Sequence, residues 1–146
     1  MSDTFDPQEH MQQVPHARAL GIELRFHTGD ECEVEIANAA HLVGDPDSGV
    51  IHGGVMTAVL DNAAGFVARP ADMPREKAAI ATLDLRIDYM GSADPTRNII
   101  ARAHCFKRTK NVAFVRAVAY QTVPEEPIAT GTATFMLGTR NAPEAK

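Results

Sequence analysis

The sequence predicts an α+β domain in which an antiparallel sheet covers one long helix, and three observations carry that prediction. Residues 55–67 place Val55, Met56, Val59, Leu60, Ala63, Phe66 and Val67 at helical spacing, so most of that segment is expected to be buried. Residues 78–89, 98–106, 112–123 and 128–137 are consecutive strand-like runs. The breaks between them, at 91–95, 107–111 and 124–127, are short, and short connections between successive strands imply antiparallel pairing. With 146 residues, the chain reads as a single domain over 1–146, long enough to bury about two-thirds of its unfolded surface without staples.

Each element has a local cause. Asp6 and Pro7 open an amphipathic segment that Pro15 interrupts and Gly21 ends, so residues 1–20 are expected to form a helical N-terminal segment. Residues 22–27 and 31–37 are short strand candidates joined by Thr28-Gly29-Asp30, a hairpin signal. A loop is expected over 40–48. The long helix should stop near Arg69-Pro70, where proline cannot continue an interior turn. In the strand over 78–89, Ala79, Ala81, Leu83, Leu85, Ile87 and Tyr89 alternate with Ile80, Thr82, Asp84, Arg86 and Asp88, which puts Thr82 on the polar side. Residues 139–146 read as a flexible tail.

Composition narrows the function classes. A net charge of −5 argues against general nucleic-acid binding. The acidic, polar N-terminus has no apolar core and no apolar run reaches the length of a membrane span, so a soluble, cytoplasmic protein without a membrane partner is expected. Cys32 and Cys105 lack metal-ligand spacing and fit buried thiols of an intracellular protein. His10, His16, His27, His41 and His104 show no His-x-x-x-His or His-x-His spacing, so no metal is proposed. With no Gly-x-Ser-x-Gly elbow, phosphate loop or dinucleotide fingerprint, neither a serine hydrolase nor a bound cofactor is expected.

Chemistry points to residues 49–65. His52 is followed by Gly53 and Gly54 at the expected helix start, where glycines let the backbone turn tightly and bring N–H groups close to a bound group. The helix dipole adds to the stabilisation of an oxyanion there. Thr57, Ala58, Asp61, Ala64, Gly65 and Ala68 make a second, small-residue face holding one carboxylate. Either that face admits a strand or a second helix closely, or Asp61 works, because an unpartnered buried acid is costly. His52 and Asp61 are nine residues apart, which at about 1.5 Å and 100° per residue sets them roughly 13 Å apart on opposite sides of one helix. A site that uses both must then be assembled across a subunit interface.

Gly49-x-x-His52-Gly53-Gly54, the later Leu60-Asp61, Tyr89-Met90 and Gly131 resemble the hot-dog-fold acyl-CoA thioesterases, in their PaaI-like branch, over about residues 20–138. The resemblance implies a long antiparallel sheet wrapped around a central helix, dimers that join sheets edge to edge, and pairing of dimers into homotetramers. It implies an acyl- or aryl-CoA substrate hydrolysed to a carboxylic acid and CoA. Asp61 would be nucleophile or general base, the Gly53 amide would polarise the thioester carbonyl, and His52 would position it. Gly54 and Asn62 fall beside them as substrate-binding residues. Thr82 matches a Ser or Thr that holds the attacking water or the carboxylate; its other reading is a solvent-facing strand residue. Many relatives have an Asn before the Gly-x-x-His, where this chain reads Gly44-Asp45-Pro46-Asp47-Ser48. Asp45 or Asp47 takes that region, and neither donates a hydrogen bond while ionised. Lys107-Arg108-Thr109-Lys110-Asn111 is a basic turn that either blunts the sheet edge or, as the resemblance implies, lets Arg108 and Lys110 contact the CoA phosphates. The acyl pocket is expected around Met56, Phe66, Met90 and Met136. A non-catalytic acyl-CoA-binding module is the alternative, and a hot-dog dehydratase, whose Asp and His arrangement is absent, a weaker third.

Overall fold

The computed structural model describes residues 6–75 and 78–139. The tail expected over 139–146 falls, beyond its first residue, outside the described residues, as do the first five residues of the N-terminal segment.

Among the described residues, the helical and strand periods resolve into three α-helices and eight strands in the order α1 (Pro7–Gln13), α2 (Pro15–Leu20), β1 (Glu23–His27), β2 (Glu31–Ile36), β3 (Val43–Asp45), β4 (Val50–Ile51), α3 (Gly53–Ala68), β5 (Ile80–Tyr89), β6 (Ile99–Arg108), β7 (Val112–Tyr120) and β8 (Ala129–Leu137). Asp6 caps α1 by accepting the Gln8 and Glu9 N–H groups. Gly21, at φ 72°, ends α2 in the left-handed conformation that a residue with a Cβ would resist. The stretch expected as a loop over 40–48 is more ordered than that: a 3₁₀ turn, Ala40–Leu42, leads into the β3–β4 hairpin.

Six strands form one antiparallel sheet in the order β1-β2-β6-β7-β8-β5, with α3 across one face. This is the hot-dog arrangement. Two features of the sequence let the helix lie close. The sheet's inner face is lined by Ala101, Ala103, Ala113, Ala117, Ala119, Ala129 and Ala133, all buried. Into the space these leave go Val59, Leu60 and Val67 of α3 and Phe135 of β8, none more than 2 % exposed. Burying each such side chain stabilises the fold by roughly 1.5–3 kcal/mol.

Two β-bulges change which side chains meet the helix. Between Thr82 and Asp84 the register of β5 against β8 shifts, so Leu83 drops out of the alternation. Thr82 pairs with Phe135, and Leu85 and Ile87 with Ala133 and Gly131, all inward-facing partners. Strict alternation put Thr82 on the polar side; the bulge turns it to the helix side instead. A second bulge, between Cys105 and Lys107, brings Arg108 opposite the buried Ala113 and so onto α3.

The fold holds protons that the unfolded chain would release at high pH. Cys32, fully buried, donates its S–H to the Ala63 carbonyl, and burial pushes its thiol from 9.0 up to about 12. On the outer sheet face the Tyr120 hydroxyl donates to buried Glu33, and burial together with that carboxylate raises it from 10.0 to about 12. Both folded values lie above the unfolded ones, so stability is complete below about pH 9 and falls as pH rises toward 12. The unfolding free energy from urea titrations should drop between about pH 9 and 12, by an amount on the order of a few kcal/mol; an unchanged midpoint across that range would contradict this.

Candidate active site

The first turn of α3 is held from three directions. His52 is its N-cap, with φ −64° and ψ 136°, and its Nδ1 accepts the Gly54 N–H at 2.8 Å. An Nδ1 that accepts leaves the proton of a neutral imidazole on Nε2, on the side away from the helix. The His52 N–H donates to the Leu42 carbonyl at 2.8 Å, which ties the β3–β4 hairpin to the helix start. A Cβ on Gly44 would stand 2.8 Å from the His52 Cα, and one on Gly54 would stand 2.9 Å from Nδ1, so glycine at both positions is what admits this ring. The Gly53 carbonyl accepts from the Tyr89 hydroxyl at 3.0 Å, and Thr57 Oγ1, 2.5 Å from the Tyr89 oxygen and 3.4 Å from the Gly53 oxygen, donates its one proton to that pair of oxygens. Gly53 also carries the first N–H of the helix, one of those a helix leaves without an internal partner, at the positive end of its dipole.

Asp61 lies two turns further on, half-buried, and Thr82 Oγ1 donates to its Oδ1 at 3.0 Å. The bulge at Leu83 makes that bond by rotating Thr82 toward the helix. Gly53, Thr57 and Asp61 recur at i, i+4 and i+8, and all three meet β5, through Tyr89 at one end and Thr82 at the other. Asp61 and the Gly53 end therefore share one face of α3. His52 itself, a cap with extended backbone, is off the helical wheel on which it was expected opposite Asp61. Eight residues of helix separate Gly53 from Asp61, about 12 Å.

The C-terminal end of α3 is closed by two guanidinium groups. Arg69 donates to the Gly65 and Ala78 carbonyls, and Arg108 donates to Val67, to Ala68 and to the carboxylate of Asp30. Cations over the last carbonyls satisfy them and complement the dipole. Arg108, which the resemblance assigns to the CoA phosphates, donates here to the last carbonyls of α3 and to Asp30, about 21 Å along α3 from Gly53 of the same chain. Lys110 is exposed on the same β6–β7 turn.

Other expected site residues make local hydrogen bonds or face solvent. Asn62 turns its amide back to the Ala58 carbonyl at 2.7 Å, so this donor serves its own helix. Asp45 organises the β3–β4 turn by accepting from the Ser48 hydroxyl and the Asp47 N–H, which hold its carboxyl below the usual range. Asp47 is exposed in that turn. Met56 and Phe66 are buried side chains of α3 itself, and Met90 is exposed at the end of β5. Met136 departs from the expected acyl pocket, because it sits between the inward-facing Phe135 and Leu137 and thus on the outer face. Tyr89 and Thr57 are the residues that sequence reasoning did not place at the site; the i, i+4, i+8 spacing of Gly53, Thr57 and Asp61 is the signal that could have found Thr57.

Comparison with known proteins adds independent findings. A family model described as the thioesterase superfamily matches residues 48–128. The medium/long-chain acyl-CoA thioesterase YigI of Escherichia coli is 29% identical over 136 residues, covering 86% of each chain. A solved Pseudomonas aeruginosa structure is 32% identical, with a TM-score of 0.77 over 89% of this chain and 95% of that one. The fold alone is shared with a mutant of the phenylacetic acid degradation protein PaaI from Thermus thermophilus, at 21% identity and a TM-score of 0.70 over 84% of this chain and 98% of that one.

Proposed function

Because the chain belongs to the thioesterase superfamily, we propose that it is an acyl-CoA thioesterase whose working groups are the N-terminal turn of α3 and Asp61. The observation that carries the reading is their alignment along β5: an oxyanion-stabilising helix start at one end of the strand and a hydroxyl-held carboxylate at the other. The thioester carbonyl oxygen is received by the Gly53 N–H, with the His52 Nε2–H beside it. As general base, Asp61 takes a proton from water as the water oxygen attacks the carbonyl carbon, and the oxyanion that forms is held at the helix start. Collapse breaks the C–S bond and releases the CoA thiolate, which is protonated to CoA, and the carboxylic acid. As nucleophile, Asp61 forms a mixed anhydride that water then opens to the same products. One oxyanion donor is worth about 2.7–4 kcal/mol and a positioned base about 10²–10⁴ in rate, enough for an ester as activated as this one.

The separation of about 12 Å along α3 keeps Gly53 and Asp61 of one chain from reaching the same carbonyl. A homodimer joined along β5 resolves this by pairing the helix start of one protomer with Asp61 of the other. The exposed side chains of that edge support it: Leu83, Tyr89 and Met90 are each more than half exposed, an apolar strand edge of the kind that pairs with another copy. Pairing of such dimers into homotetramers completes the assembly.

The test is thiol release from a panel of aryl, short, medium and long acyl-CoAs, with medium and long chains first because YigI is named for them. Hydrolysis of at least one class is the expected result. A folded protein that binds acyl-CoA tightly and releases no thiol would select the binding module, the reading that the absence of the loop Asn favours.

A further inference from the structure

We propose that Tyr89 is a positioning residue of this site: with Thr57 it locks the Gly53–Gly54 peptide, and through that peptide it sets the ring of His52. The proposal rests on the thioesterase reading for its kinetic consequences and on geometry for the rest. The Gly53–Gly54 peptide is gripped at both ends. Its carbonyl takes the Tyr89 O–H at 3.0 Å, and its N–H goes to His52 Nδ1 at 2.8 Å. Thr57 Oγ1, 2.5 Å from the Tyr89 oxygen and 3.4 Å from the Gly53 oxygen, closes the network.

Consecutive glycines are the most pliable backbone a helix start can have, so this peptide needs an external brace. Tyr89 provides it from another element, at the far end of the strand whose bulge presents Thr82 to Asp61. Donation to the carbonyl also polarises the peptide and strengthens its N–H as a donor. A stronger bond to Nδ1 keeps that nitrogen unprotonated and leaves the Nε2–H aimed outward, where a thioester is received. The hydroxyl is the working part: Tyr89 as a whole is 55% exposed, and its O–H is what reaches the Gly53 carbonyl.

Tyr89→Phe removes the hydroxyl and keeps the ring. Turnover (kcat) is expected to fall about tenfold with KM within about twofold and little change in melting temperature. Thr57→Val on top of Tyr89→Phe should add less than it does alone, since the two hydroxyls act as one unit. Nitrogen NMR of the His52 ring gives a readout without turnover: the Nε2–H tautomer in the wild type, and a mixture of tautomers in Tyr89→Phe. A kcat within about twofold of wild type in Tyr89→Phe, or a His52 ring unaltered by the substitution, would overturn the proposal. If the wild type hydrolyses no acyl-CoA, the thioesterase reading fails by itself and the ring measurement alone decides the role of Tyr89.

Discussion

Asp61→Asn should lower thiol release at least about a hundredfold while leaving the fold as stable as before. The substitution is nearly isosteric, and the amide oxygen of Asn can still accept the Thr82 hydroxyl that Asp61 Oδ1 accepts at 3.0 Å. What it removes is the charge, and with it the ability to take a proton from water or to attack a carbonyl. Since Asp61 is half-buried and bonded to a neutral hydroxyl, no ion pair among the described residues is broken with it. Steady-state rates beside a thermal melt check both halves of the statement. A drop smaller than about tenfold in a folded protein would take Asp61 out of the mechanism.

Arg108→Ala should cost stability before it costs substrate binding. The side chain makes hydrogen bonds to the Val67 and Ala68 carbonyls and to Asp30, and its removal leaves the end of α3 uncapped next to the core. Hydrogen bonds from a charged donor are worth about 1.5–3 kcal/mol each before partial replacement by water, so a net loss of roughly 2–4 kcal/mol is expected. In a domain of this size that lowers the melting temperature by about 10 °C. KM for acyl-CoA should stay within about twofold. A raised KM with an unchanged melting temperature would instead favour Arg108 as a CoA contact.

The fold was legible where period and punctuation speak alone. The helical spacing from Val55 to Val67 marks the element observed as Gly53–Ala68, and Asp6, Pro15 and Gly21 each mark a boundary that the structure uses. The four late runs, read with a period of two, match β5, β6, β7 and β8 within a few residues. What period cannot carry is an inserted residue. Leu83 has the same parity as Leu85 and Ile87, so alternation assigns all three to one face, and only the pairing with β8 shows that Leu83 is a bulge. Thr82 was misplaced for this reason, by a single-residue slip that reverses a side chain.

The site was half legible. His52, Gly53 and Asp61 stand out because their residue types at a helix start and on a small-residue face have few other uses. The brace from Tyr89 was not visible, since it depends on where the end of β5 lies against the first turn of α3, a contact between residues 36 positions apart in sequence. Asn62 and Asp45 show the converse: polar side chains near the motif that satisfy their own backbone.

The central claim is that one hydrolytic site takes its helix start from one protomer and its carboxylate from another. Mixing Asp61→Asn with His52→Ala protein, after dissociation and reassociation, measures it directly. A shared site requires each variant alone to be nearly inactive and the mixture to regain about a quarter of wild-type thiol release, because half of the random dimers then carry one intact site of two. A mixture no more active than its parents, formed from subunits shown to have exchanged, would contradict the account.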